Sequence, residues 1–124
     1  MKCDIICEPH EIVADQTRST AIFRILQETL TNVARHADAT EVEIALKEKT
    51  DEVELIVHDN GKGITKKEVS DPKSFGLMGI KERVHSLGGI AEFIGSKNEG
   101  TTVKVVIPSD SSEERDIDQN LGSR

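Results

Sequence analysis

Apolar residues along the chain follow two periods, and the switches between them mark the elements. Residues 2–7, "KCDIIC", read as a short strand, and residues 8–18 as a polar loop. Ser19 is placed to cap a helix that begins near Thr20. Its stripe of Ile22, Leu26, Leu30, Val33 and Ala37 has the spacing of one helix face, and "HADAT" ends it. "EVEIAL" and "EVELIVH" then alternate with period two and are joined by "KEKTD", which predicts a hairpin. Val42, Ile44 and Leu46 share one side of the first strand. Val53, Leu55 and Val57 point inward on the second, with Glu52, Glu54 and His58 outward. Ile56 breaks that polar face, so the strand is expected to be partly covered on both sides.

Residues 61–75 have no period and are rich in Gly, Lys, Ser, Asp and Pro. They predict a loop with a helical turn at Lys66–Val69. A second helix runs from Gly76 to Leu87 on Leu77, Ile80, Val84 and Leu87, and Gly88-Gly89 stops it with a left-handed cap. "IAEFIGS" and "TTVKVVI" are two further strands turning through "KNEG". Residues 109–124 form an acidic tail with too little apolar surface to fold. The order β-α-β-β-loop-α-β-β predicts an α+β fold. It is a two-layer sandwich of a mixed, mostly antiparallel sheet with helices on one face, in a single domain over 1–108.

Composition narrows the function. A net charge of −7 argues against a nucleic-acid binder, whose affinity comes from cationic neutralisation of phosphates. Trp and Tyr are absent and there are three Phe, which argues against a stacking platform for single-stranded nucleic acid. The apolar runs are too short to span a bilayer, and "MKCDIICEPHE" lacks the apolar core of a signal peptide; a cytoplasmic domain without membrane contact is expected. Cys3 and Cys7 fall on one face of a strand about 13 Å apart, too far to bridge, and are expected to be reduced core thiols.

Four stretches could carry chemistry. In "FRILQETLTNVARHA", Glu28, Asn32 and Arg35 lie opposite the apolar stripe, with His36 beside Asn32. Asn offers Mg²⁺ a neutral oxygen, and Glu can orient or deprotonate a nucleophile. "DNGKGI" has the look of a hairpin turn, but no alternating strand follows it. Gly61 and Gly63 instead mark a strand becoming a loop, where glycine lets backbone approach a ligand, and Asp59 could accept from an exocyclic amine. In "SFGLMGIKERV", Gly76 and Gly79 flank a helix start, where free N–H groups and the helix dipole favour an anion. It is not the Walker pattern. "NEGTTV" is a turn followed by a strand start.

In order and spacing, these four stretches resemble the N box and the three glycine boxes of the ATP-binding domain of sensor histidine kinases. That superfamily includes gyrase, Hsp90 and MutL and is known for the Bergerat fold. The forms "RxxQExLTNxxRHA" and "GLxGIxxRV" are similar to those of the nitrate-sensor and DesK-like subfamily, and the likeness covers roughly residues 20–108. It implies ATP and Mg²⁺ as ligands, with Asn32 holding the metal and Glu28 beside the transferred phosphoryl group. It implies Arg35 and His36 near the phosphates, and backbone at Gly76, Leu77, Met78 and Gly79 facing them. Asp59 would bond the adenine amine with Gly61 and Gly63 closing in, Thr102 would assist through water, and 62–75 would be the lid.

An acceptor histidine at the start of a dimerisation helix is expected in this family. His10, His36, His58 and His85 do not open such a pattern. The chain therefore reads as a monomeric catalytic piece that binds ATP without phosphorylating itself. Its partners would be its own histidine-bearing dimerisation domain and a LuxR-type response regulator. Two alternatives share the fold: an anti-sigma-factor-type serine kinase, and a nucleotide-regulated binding module without transfer.

Overall fold

The computed structural model describes residues 2–8, 16–71, 73 and 76–109. The elements are β1 (Lys2–Glu8), α1 (Gln16–Asn32) with a π-helical turn at Val33–Ala37, β2 (Glu41–Glu48), β3 (Glu52–Asp59), α2 (Lys66–Ser70), α3 (Leu77–His85), β4 (Ile90–Ser96) and β5 (Gly100–Pro108). One five-stranded sheet has the order β1-β2-β3-β5-β4. β1 runs parallel to β2, and α1 supplies the crossover such a pair requires. The other pairs are antiparallel. The mixed, mostly antiparallel sheet expected from the pattern is the one observed.

The core follows from the two periods. Val53, Leu55 and Val57 of β3 and Val103, Val105 and Ile107 of β5 point to the helix layer and are buried. Ile22, Ile25 and Val33 meet them from α1 and its last turn, and Leu77, Ile80 and Val84 from α3. Burying each such side chain contributes about 1.5–3 kcal/mol. α3 closes as expected: Gly88, at φ 77°, lets the N–H of Gly89 reach the Val84 carbonyl at 3.0 Å. α2 is one residue longer than the predicted turn. Thr65 and Glu68 cap it reciprocally, each side chain accepting from the other's backbone N–H at 3.1 and 2.9 Å.

Three expectations need correction. α1 runs from Gln16, so Ser19 lies within it rather than capping it. Arg18 fixes this first turn: it is buried, and its Nε donates to the Pro108 carbonyl at 2.9 Å, a tertiary contact that local propensity does not reveal. The buried face is also rotated, to Ala21, Ile22, Ile25, Thr29 and Val33, leaving Leu26 and Leu30 half-buried. Thr29 is tolerated there because its hydroxyl donates to the Ile25 carbonyl at 2.7 Å.

Cys3 is exposed and Cys7 half-buried, so these are not core thiols; they lie on an edge strand. On the outer face Glu54 points as predicted but is only 7% exposed. Lys49 and Lys104 flank its carboxylate at 3.7 and 3.6 Å. The acidic tail from residue 110 onward lies outside the described residues. Among the described residues no helix is long and apolar enough to cross a membrane.

Candidate functional site

The strand alternation that buries Val53, Leu55 and Val57 brings Asp59, the last residue of β3, onto the same inner face. There it is 4% exposed. One carboxylate oxygen accepts the Gly61 N–H at 2.8 Å, and no other hydrogen bond reaches the carboxylate among the described residues. Asp59 lines a cleft of about 530 Å³, counting the space open to solvent. Val57, Ile64, Phe93 and Val103 give it apolar walls. Thr29, Asn32 and His36 line it from α1 and its π-turn, and Lys62, Gly63 and Glu68 from the segment after β3. Single π-turns inside helices recur at functional sites, and this one ends in Asp38 at φ 54°.

Hydrogen bonds on both sides hold the segment after β3. The Asn60 side-chain oxygen accepts from the N–H groups of Thr40 and Glu41 at 2.9 and 3.0 Å, and its amide donates to the Thr40 hydroxyl at 2.9 Å. The Lys62 N–H donates to the Ala37 carbonyl, and the Asn98 N–H to the Lys62 carbonyl. The Ile64 N–H donates to the Thr101 hydroxyl at 2.8 Å. A Cβ at Gly61 would overlap the Ala37 carbonyl, and one at Gly63, whose φ is 86°, the Ser96 carbonyl. The close approach expected of these glycines is thus made to the protein's own backbone, at the end of the first helix and at the β4–β5 turn.

The other predicted residues divide. Asn32, His36, Asp59, Gly63 and Leu77 share the cleft, and Gly61 bonds Asp59. Glu28, Gly76 and Gly79 line an adjoining hollow with Arg24 and Arg83. There Gly76, at φ 65°, leaves room for Glu28: a Cβ would stand 3.2–3.4 Å from its carboxylate. Arg35 and Met78 are exposed and line neither. Thr102 lies on the opposite face of the sheet, bonded to His58 Nδ1 at 2.8 Å. Thr101 takes the cleft position instead, opposite Asp59 in the strand register. Alternation could have found it, since Thr101 shares parity with Val103, Val105 and Ile107. Asn60 was missed because its role is purely tertiary.

Residues 17–111 match the family of histidine kinase-, DNA gyrase B-, and HSP90-like ATPases. The chain belongs to that family. Its relatives include the sensor histidine kinase LiaS of Bacillus subtilis, 42% identical over 87 residues, covering 70% of this chain and 24% of that protein. They also include the kinase/phosphatase DegS of Brevibacillus brevis, 40% identical over 88 residues, covering 71% of this chain and 22% of that protein. The chain spans about a quarter of the length of these curated relatives. The fold matches the histidine kinase domain of a blue-light activated kinase from Erythrobacter litoralis, with a TM-score of 0.73. That match is 21% identical and covers 91% of this chain and 54% of the other, and at that identity it speaks for the fold alone.

The cleft of this ATPase domain fits an adenine ring. A buried carboxylate oxygen with no donor costs free energy that an exocyclic amine would recover, and the apolar walls suit a flat heterocycle. Among the described residues no group of three or more His, Cys, Asp or Glu could hold a metal. Asn32 at the cleft suits Mg²⁺ only in company with phosphate and water oxygens.

Proposed function

We propose that this chain is the ATP-binding catalytic domain of a two-component sensor histidine kinase. It binds MgATP and donates the γ-phosphoryl group to a histidine on a separate dimerisation domain. The observation that carries this reading is Asp59, a carboxylate 4% exposed in an apolar cleft, with one oxygen held by Gly61. It selects an amine-bearing base, while Val57, Ile64, Phe93 and Val103 exclude water from the ring. Thr101 holds the role that the resemblance gave to Thr102, steadying the base side of the cleft through Ile64.

Asn32 supplies an oxygen to Mg²⁺, and Arg35 and His36 add positive or hydrogen-bonding groups beside the phosphates. The backbone from Gly76 through Leu77, Met78 and Gly79 turns N–H groups toward them at the start of α3. Glu28, packed against Gly76, orients or deprotonates the incoming imidazole. When bound, the nucleotide supplies the transferable phosphoryl group and the metal offsets its charge. Residues 62–75, of which 72, 74 and 75 lie outside the described residues, would form the lid. In the parent protein the phosphoryl group passes on to a response regulator of the LuxR type, on the cytoplasmic side.

Calorimetry on the full chain tests this. Saturable MgATP binding is expected, weakened by chelating the metal and by Asn32→Ala. No binding at about millimolar MgATP, a level that corresponds to only about −4 kcal/mol, overturns it. With an added dimerisation domain, transfer to histidine is expected, read as acid-labile phosphate; acid-stable phosphoserine would point to the serine-kinase reading.

A further inference from the structure

Between Asp59 and Ile64 the chain offers the cleft few side chains. Gly61 and Gly63 have none. Asn60 is bonded to Thr40 and Glu41 and does not line the cleft. Lys62 remains, and it does line the cleft. Its main chain is held on both sides: the N–H donates to the Ala37 carbonyl at 2.8 Å, and the carbonyl accepts the Asn98 N–H at 2.9 Å. The side chain thus leaves from a fixed point, and only its own torsions are left to order when a ligand binds. Among the described residues that line the cleft, Lys62 is the only lysine or arginine. It is exposed, and among the described residues no ion pair reaches its ammonium.

The place of this anchor along the first helix decides which part of a nucleotide Lys62 meets. Gly76, where the α3 backbone turns toward the phosphates in the reading above, lies against Glu28. Ala37, which holds Lys62, stands nine residues further on (28 to 37), at the end of the π-turn. At about 1.5 Å per residue that is roughly 12–13 Å along the axis. A lysine side chain has five single bonds of about 1.5 Å in a zigzag and reaches about 6 Å. Its ammonium therefore falls well short of Gly76. Asp59 is close by contrast: its carboxylate holds the N–H of Gly61, the residue before Lys62. Lys62 belongs to the end of the cleft where Asp59 takes the base.

Val57, Ile64, Phe93 and Val103 give that end apolar walls. A flat base laid against them keeps one face toward the rim, and Lys62 stands exposed at the rim. A lysine suits this place twice over. Its methylenes cover apolar surface while the charged head stays in water, and an ammonium is attracted to the face of an aromatic ring. We propose that Lys62 covers the rim-side face of the bound base, with its stem packed on the ring and its ammonium over the π-face. The proposal rests on the nucleotide reading and deepens it. Lys62 serves the nucleoside half of the ligand, while the phosphates run from Asn32 toward Gly76.

Titration of the full chain with adenosine and with MgATP, followed by amide chemical shifts, tests this. Adenosine carries neither phosphate nor metal, so it reports on the base end alone. Lys62→Ala is expected to weaken both ligands by the same factor, about three- to tenfold. Lys62→Arg, which keeps a stem and a cation, should stay within about twofold of wild type. The apo melt of Lys62→Ala should match wild type, because both hydrogen bonds of residue 62 come from its main chain. A loss for MgATP with none for adenosine marks a phosphate contact and overturns the proposal. So does a Lys62→Ala chain that binds both ligands like wild type. A wild type that takes MgATP but not adenosine overturns this inference alone. A wild type that takes neither overturns the nucleotide reading and this inference with it.

Discussion

Replacing Asp59 with Asn isolates the group on which the nucleotide reading turns. The change is nearly isosteric and removes one charge from a site 4% exposed. The Gly61 N–H, 2.8 Å from the carboxylate, needs an acceptor, so the new amide turns its oxygen there. Its NH₂ group then faces the cleft, where the wild type offers a second acceptor. A donor meets the adenine amine, also a donor, and the hydrogen bond to a charged acceptor is lost. Such bonds contribute about 1.5–3 kcal/mol, which predicts a Kd for MgATP roughly ten- to a hundredfold weaker. Guanine carries an oxygen where adenine carries its amine, so the ratio of GTP to ATP affinity should rise. The apo fold should suffer little, because a buried neutral amide costs less to desolvate than a buried carboxylate. Calorimetry with MgATP and MgGTP, beside a thermal melt of the apo protein, reads all three. An Asp59→Asn chain that binds MgATP like wild type, at unchanged purine preference, refutes the assignment of Asp59 to the base.

Thr101→Val removes the acceptor of the Ile64 N–H and should weaken nucleotide binding, whereas Thr102→Val, which loses only its contact with His58, should leave it nearly unchanged; titration with MgATP separates the two. Gly63→Ala places a Cβ against the Ser96 carbonyl at φ 86°, and left-handed strain alone costs about 1–2 kcal/mol, so its urea midpoint should fall clearly. Asn60→Ala removes the side-chain acceptor of the exposed Thr40 and Glu41 N–H groups, which water can then reach, so a net cost of about 0.5–1.5 kcal/mol is expected, read from the same urea curve.

The fold was legible where a residue's period alone decides its side. The alternation of Val53, Leu55 and Val57 carries on to Asp59, and that of Val103, Val105 and Ile107 carries back to Thr101, so the floor of the cleft was already in the strand pattern. Family resemblance pointed to Thr102, but alternation puts its side chain on the far face, where it bonds His58. Arg18, Asn60 and the rotated face of α1 were not legible, because each depends on a partner distant in sequence: Pro108, Thr40 and the β3–β5 core. Gly61 and Gly63 show why such partners matter. Read locally, their freedom serves a ligand; in the fold it lets the segment after β3 lie against Ala37 on one side and Ser96 on the other. The segment after Asp59 thus starts from a root clamped between the first helix and the last hairpin. Asp59 and Thr101 face the cleft from that root.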